Sequence, residues 1–159
     1  MQERHDEAMA AGEKSVALNP NGDYNMVLLA MTLMYSGRDE EAISLYKEAW
    51  RLNPYCPAWY IHAAGVAYRG LGKWDEAIAV LKRALEKKPD HFPALVVMAS
   101  VYGMSGRLKE GRAVAAEILK INPGYCIEKT WLPYKNKASA EAIRKGWRKV
   151  GIPDKSPPK

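Results

Sequence analysis

AWYIHAAGVAYRGLGKWDEAIAVLKRALEKKP, residues 58–89, reads as two amphipathic helices joined by a tight turn at Leu71-Gly72. Apolar residues recur at three- and four-residue steps on both sides of the turn, which is the helical period. Weaker copies of this hairpin lie before and after it. Pro20, Pro54, Pro89 and Pro123 end the copies and stand 34, 35 and 34 residues apart. A proline biases the residue before it away from the helical conformation, so each one is a physical stop. Self-similarity at this period is the mark of a stacked-repeat solenoid.

The chain divides on that register. Residues 3–20 match only the second helix of a hairpin, which reads as a half repeat and as a piece cut from a longer protein. Repeats then occupy 23–56, 58–91 and 92–125, and the array spans 3–123. Gly37, Gly72 and Gly106 close the first helices, where a left-handed residue reverses the chain without a Cβ clash. Small residues sit where helices must approach, at Ala30 and Ala42, Gly65 and Ala77, and Ala99 and Gly111. Gly111 and Ala115 stand where larger residues are usual, so the last hairpin's second helix is expected to pack loosely. Beyond Pro123 the period is lost. A short helix is expected over 125–132, a capping helix over 137–150 with Ala140, Ile143, Trp147 and Val150 as its apolar stripe, and a disordered tail over 151–159.

Composition narrows the function classes. Hydrophobic residues make up 48% and charged residues 26% of 159 positions, which suits one ordinary domain. The longest apolar run, Met26–Met31, is far shorter than the roughly 20 residues of a membrane helix, and no leader-like segment opens the chain, so a cytoplasmic location is expected. Cys56 and Cys126 occupy equivalent loop positions and read as reduced structural thiols. Net charge is +6, spread as −4 over 1–52, +4 over 53–123 and +6 over 124–159. His5, His62 and His91 are not spaced as metal ligands, and no nucleophile turn or phosphate-binding glycine loop is present. The reading is therefore of a chain that is not an enzyme, with no cofactor, no metal and no catalytic residue.

The hairpins resemble the tetratricopeptide repeat. Trp59, Gly65, Tyr68, Gly72, Trp74, Ala77, Leu81, Ala84 and Pro89 fall on that family's recurring positions. Tyr24, Gly37, Ala42, Tyr46, Ala49 and Pro54 match in the first copy, and Tyr102, Gly106 and Pro123 in the third. The resemblance implies an all-α, right-handed α-solenoid whose first helices line a concave groove. Carried onto this chain, the groove positions are Tyr24, Val27, Leu28, Met31, Met34 and Tyr35, then Trp59, His62, Val66 and Arg69, then Val96, Val97, Ser100 and Met104. About half of such residues are packed rather than free in a solenoid, and Tyr24, Met31, Tyr35, Trp59 and His62 are the ones expected to be open. A protein or peptide partner is implied, with adaptable methionines beside aromatic anchors.

Val27, Met31, Ala63, Pro93 and Val97 replace the Lys, Arg and Asn clamp of the family's chaperone-binding members, so an acidic chaperone tail is not an expected ligand. The groove has three possible occupants: a partner's peptide, another part of the same parent chain, or a second copy, the last making the module a homo-oligomer. Nucleic acid is the alternative from a different class, since the basic end can neutralise phosphates. The apolar inner positions lack base-reading side chains. A second resemblance lies at the end. LPYKN at 132–136 and EAIRKGWRKVGIP at 141–153 are similar to the segment closing bacterial adenylate/guanylate cyclase-like proteins, which implies a regulatory or assembly region of a larger signalling protein.

Overall fold

A computed structural model describes residues 2–134 and 136–156, with side chains from residue 7 onward. Every regular element among these is a helix: α1 Gln2–Leu18, α2 Asp23–Tyr35, α3 Asp39–Leu52, α4 Ala58–Gly70, α5 Trp74–Lys87, α6 Phe92–Ser105, α7 Leu108–Ile121 and α8 Lys137–Val150. The pairs α2–α3, α4–α5 and α6–α7 are the three hairpins, and α1 packs against α2. Gly37, Gly72 and Gly106 hold φ of 84°, 68° and 77°, the left-handed values the turns require. Each second helix carries acidic residues in its first turn, as Asp39, Glu40 and Glu41 do in α3, where the helix dipole favours them.

The first helices touch one another from hairpin to hairpin, α2 to α4 and α4 to α6, while each second helix contacts its own partner and the first helix that follows. The stack therefore curves with α2, α4 and α6 on its inner side, and the fold is an all-α solenoid. Its core runs continuously through the hairpins, from Met26 and Leu33 through Tyr46, Ile61 and Leu81 to Met98. Gly65 lets α4 and α5 pack closely in the middle hairpin: a Cβ there would stand 2.7 Å from the Leu81 side chain.

Three expectations about the last part of the chain are corrected. Residues 125–132 form turns and not a helix, because their backbone groups are used elsewhere: the Ile127 and Glu128 amides donate to the Pro153 and Asp154 carbonyls. The same bonds order the tail that composition marked as disordered. Ile152 is buried, and Ser156 donates to the Gly124 carbonyl at 2.7 Å and accepts from Lys129. Gly151, with φ 97°, turns the chain back toward residue 127, and positions 157–159 lie outside the described residues. Nor does Gly111 leave α7 loose. A Cβ on it would overlap the Val150 side chain, so the space it vacates is filled by α8.

The helix α8 is the strongest amphipath near this end. Ala140, Ile143, Trp147 and Val150 are all buried, the last three in a second cluster with Leu95, Ala99, Ala115 and Ile118. Asn136 caps it, accepting from the Ala138 amide at 2.9 Å. The Trp147 indole nitrogen donates to the Val96 carbonyl at 2.9 Å, which satisfies the one polar atom of a fully buried side chain.

Candidate functional site

The inner side of the stack is where a partner would meet the chain, and the structure sorts its residues into two halves. At one end, α2 is enclosed by α1, α3 and α4, leaving a narrow stripe. Tyr24 (54% exposed) and Leu28 are open, and Met31 and Tyr35 are half-buried. These four repeat at steps of four, three and four, one line along the helix. Trp59 of α4 continues the stripe, its ring centroid 6.1 Å from that of Tyr24 in an edge-on contact. The result is a continuous aromatic and thioether surface with one open side.

Six of the groove positions read from the sequence are instead buried, Arg69 among them. Val27 and Met34 are fully buried, since they lie on the edges of α2 that face its neighbours and not on its open line. Val66, Val97 and Ser100 are buried as well, the last donating to the Val97 carbonyl at 2.6 Å. Val96 and Met104 remain half-buried. Three neighbours cover more of a first helix than a two-sided reading allows.

His62, half-buried, faces His91 across the gap between α4 and α6, with Nδ1 of His62 and Nε2 of His91 2.8 Å apart. One ring donates and the other accepts, so at least the accepting ring is neutral. Burial, then the neighbouring His91, then Arg69, push the His62 pKa down to about 4. Burial and Lys88 lower that of His91. Among the described residues no group of three or more His, Cys, Asp or Glu side chains is placed to hold a metal ion.

The other half of the inner side is occupied by the chain itself. Tyr134 lies on Arg69, whose guanidinium donates to the Tyr134 hydroxyl and, at 2.7 Å, to the Ser100 hydroxyl. The guanidinium carbon sits 5.9 Å from the Tyr134 ring centroid, and the Tyr35 ring meets Tyr134 edge-on at 5.5 Å. Arg69 is only 4% exposed and makes no ion pair among the described residues. Beside it lies a cavity of about 360 Å³ walled by Tyr35, Asp39, Gly70, Met104, Tyr134 and the first turns of α8. One Asp39 carboxylate oxygen is buried there without a partner among the described residues. Burial holds that carboxyl up to about 6 against the lowering pull of Arg69.

Sequence reasoning missed Asp39 and Tyr134, and it placed Arg69 on the groove without its partners. A signal was available. With the copies aligned on their prolines, Arg69 falls over Met34 and Gly103, and Asp39 over Trp74 and Leu108. Two charged residues thus replace apolar or small ones at the same place in the fold. Tyr134 lies outside the repeats, and nothing local marks it as an inner-side residue.

Stacked helical hairpins with an inner face of aromatic and apolar side chains define a repeat scaffold of the protein-binding class. A family model described as anaphase-promoting complex, cyclosome, subunit 3 matches residues 1–84, just over half of the chain. One described as tetratricopeptide repeat matches residues 68–127. The chain belongs to this family of tetratricopeptide-repeat proteins.

Among curated relatives, human protein O-mannosyl-transferase TMTC2 is 32% identical over 89 residues, 55% of this chain and 11% of that protein. Antiviral innate immune response effector IFIT1 of Macaca fascicularis is 34% identical over 76 residues, 48% of this chain and 16% of that protein. The chain thus spans between about a tenth and a sixth of the length of these relatives. Among solved structures, MamA superposes with a TM-score of 0.69 at 22% identity, over 94% of this chain and 88% of its own. TTC0263, a thermophilic TPR protein of Thermus thermophilus, gives 0.66 at 29% identity over 77% and 68%. No helix among the described residues is long and apolar enough to cross a membrane.

Proposed function

We propose that this chain is a non-catalytic protein–protein interaction scaffold which takes an extended peptide or a partner helix along the inner side of its solenoid. The observation that carries the reading is the open line of Tyr24, Leu28, Met31 and Trp59, an apolar surface on one side of the stack. Exposed Tyr24 and Leu28 beside half-buried Met31 and Trp59 make a converging apolar surface of the kind that marks an interaction site. The neighbour YrrB, a TPR protein with an unusual peptide-binding site, superposes with a TM-score of 0.63 at 17% identity, and at that identity it speaks for the fold alone. The closing-segment resemblance at 132–136 and 141–153 is what supports a regulatory or assembly role in a larger, cyclase-like signalling protein.

A random peptide-display library panned on the chain tests the reading. Selected peptides are expected to lose about tenfold or more in affinity on Trp59→Ala, the loss of one anchor residue. Peptides whose binding ignores both Trp59→Ala and Leu28→Asp would overturn it.

A further inference from the structure

We infer that Arg69 and Ser100 form a receptor for a tyrosyl side chain, which the chain's own segment 131–134 fills, and that a partner peptide of apolar–Pro–Tyr chemistry enters by displacing this segment. The inference rests on the reading of the inner side as a peptide groove and names the chemistry accepted at one end of it.

The receptor is built and not incidental. Where the three hairpins align, Ser100 stands over Met31 and Val66, and Arg69 over Met34 and Gly103. A hydrogen-bonding pair therefore replaces apolar or small residues at adjoining positions. Burying a guanidinium without a carboxylate partner is costly unless other acceptors satisfy it. Arg69 finds two hydroxyls, and one of them belongs to Tyr134. Tyr35 closes the side of the ring. A phenol fits this geometry because it offers an acceptor oxygen to Arg69 and a ring to pack edge-on against Tyr35.

The occupant is held in a way that lets it leave. Residues 131–134 make no backbone–backbone hydrogen bond among the described residues, and Pro133 has no N–H to give. Trp131, in the same segment, is 81% exposed. Leu132 and Pro133 share with Val66 and Val97 the walls of a cavity of about 290 Å³. Both ends are fixed. Thr130 donates to the Cys126 carbonyl at 2.9 Å, and Asn136 caps α8. Lifting the segment breaks no ladder and unfolds no helix, while its tether makes it an intramolecular competitor at high effective concentration. A partner of the same chemistry inherits the contacts that Tyr134 gives up.

The test uses the capped peptide EKTWLPY, residues 128–134, and the full chain, with binding read by calorimetry and fold by circular dichroism. Tyr134→Ala empties the receptor and is expected to bind the peptide at least about tenfold more tightly than the unaltered chain, as removal of a tethered competitor does. Adding Arg69→Met, the residue of the first hairpin, is expected to abolish that gain, and a peptide ending in Ala in place of Tyr is expected not to bind. If Tyr134→Ala loses helix content, Tyr134→Phe serves the same comparison with a smaller expected gain. Equal affinity of the altered and unaltered chains, or a gain that survives Arg69→Met, would overturn the inference. So would concentration-dependent dimers in which a second copy supplies the segment. Failure here leaves the library selection at Trp59 unaffected, since the two readouts report opposite ends of the inner side.

Discussion

Two side chains on the inner side titrate out of their ordinary ranges in opposite senses, and the signs can be worked out. His62 has its pKa pushed down from 6.5 to about 4 by burial first. Above pH 6.5 it is neutral in the folded and unfolded chains alike. As pH falls from there to 4, the unfolded chain takes up a proton that the folded chain refuses, so stability is lost, by about 3 kcal/mol at most. Asp39 is held up from 3.8 to about 6, again by burial. Between those values the folded chain keeps a proton that the unfolded chain has released, so acidification stabilises. The two effects oppose each other over nearly the same pH window. Relative to the unaltered chain, His62→Leu is expected to shift the urea midpoint upward between pH 7 and pH 4.5, and Asp39→Asn to shift it downward. Shifts of the same sign in both variants would show that burial is not what sets these pKa values. Neither effect was legible in the sequence, because His91 lies 29 residues from His62 and the enclosure of Asp39 involves α8.

At the scale of elements, the helices were legible where a local rule governs them. Proline stops, left-handed glycine turns and the three- and four-residue spacing of apolar positions mark the hairpins, and the stripe of Ala140, Ile143, Trp147 and Val150 marks α8. What lies between α7 and α8 obeys no local rule. Its conformation is decided by backbone bonds from Ile127 and Glu128 to residues 26 positions further on, and a disordered composition at 151–156 conceals that pairing. The contact of α6 with α8 is likewise nonlocal and depends on two glycines. A Cβ on Gly103 would overlap the Gly146 carbonyl oxygen, and one on Gly146 would stand 2.9 Å from the Met104 side chain. These backbones touch, so Gly103→Ala must push α8 away from the cluster that holds Trp147. A loss of about 1–3 kcal/mol in urea denaturation is expected, the usual range for overpacking. Gly124→Ala is the comparison: its φ is not positive and the nearest atom is 3.7 Å away. Its effect should stay within about 0.5 kcal/mol. Equal losses in the two variants would mean that α8 moves freely over α6.

The whole molecule is a stack in which each unit rests on its neighbours, so stability need not be uniform along it. The helix α4 contacts α2, α3, α5 and α6, and nine of its thirteen residues are buried. By contrast α1 packs on α2, and none of its described residues is buried; Met9, Gly12, Ser15 and Val16 are only half so. Releasing α1 therefore exposes little apolar surface, while releasing α4 opens the core on both sides. At the opposite end, α8 and the pairing of residues 127 and 128 with 153 and 154 cover the last hairpin, so the two ends differ in strength. Native-state hydrogen exchange is expected to follow this order. Amides of α1 should open with free energies a few kcal/mol below the global value and with little dependence on urea, the behaviour of local fraying. Those of α4, α5 and α6 should exchange only through global opening, with a steep urea dependence. Protection in α1 equal to that in α4 would show that the array opens as one cooperative unit. The nearest-neighbour account of this stack would then fail, because the contacts of α1 alone are too few to carry such protection.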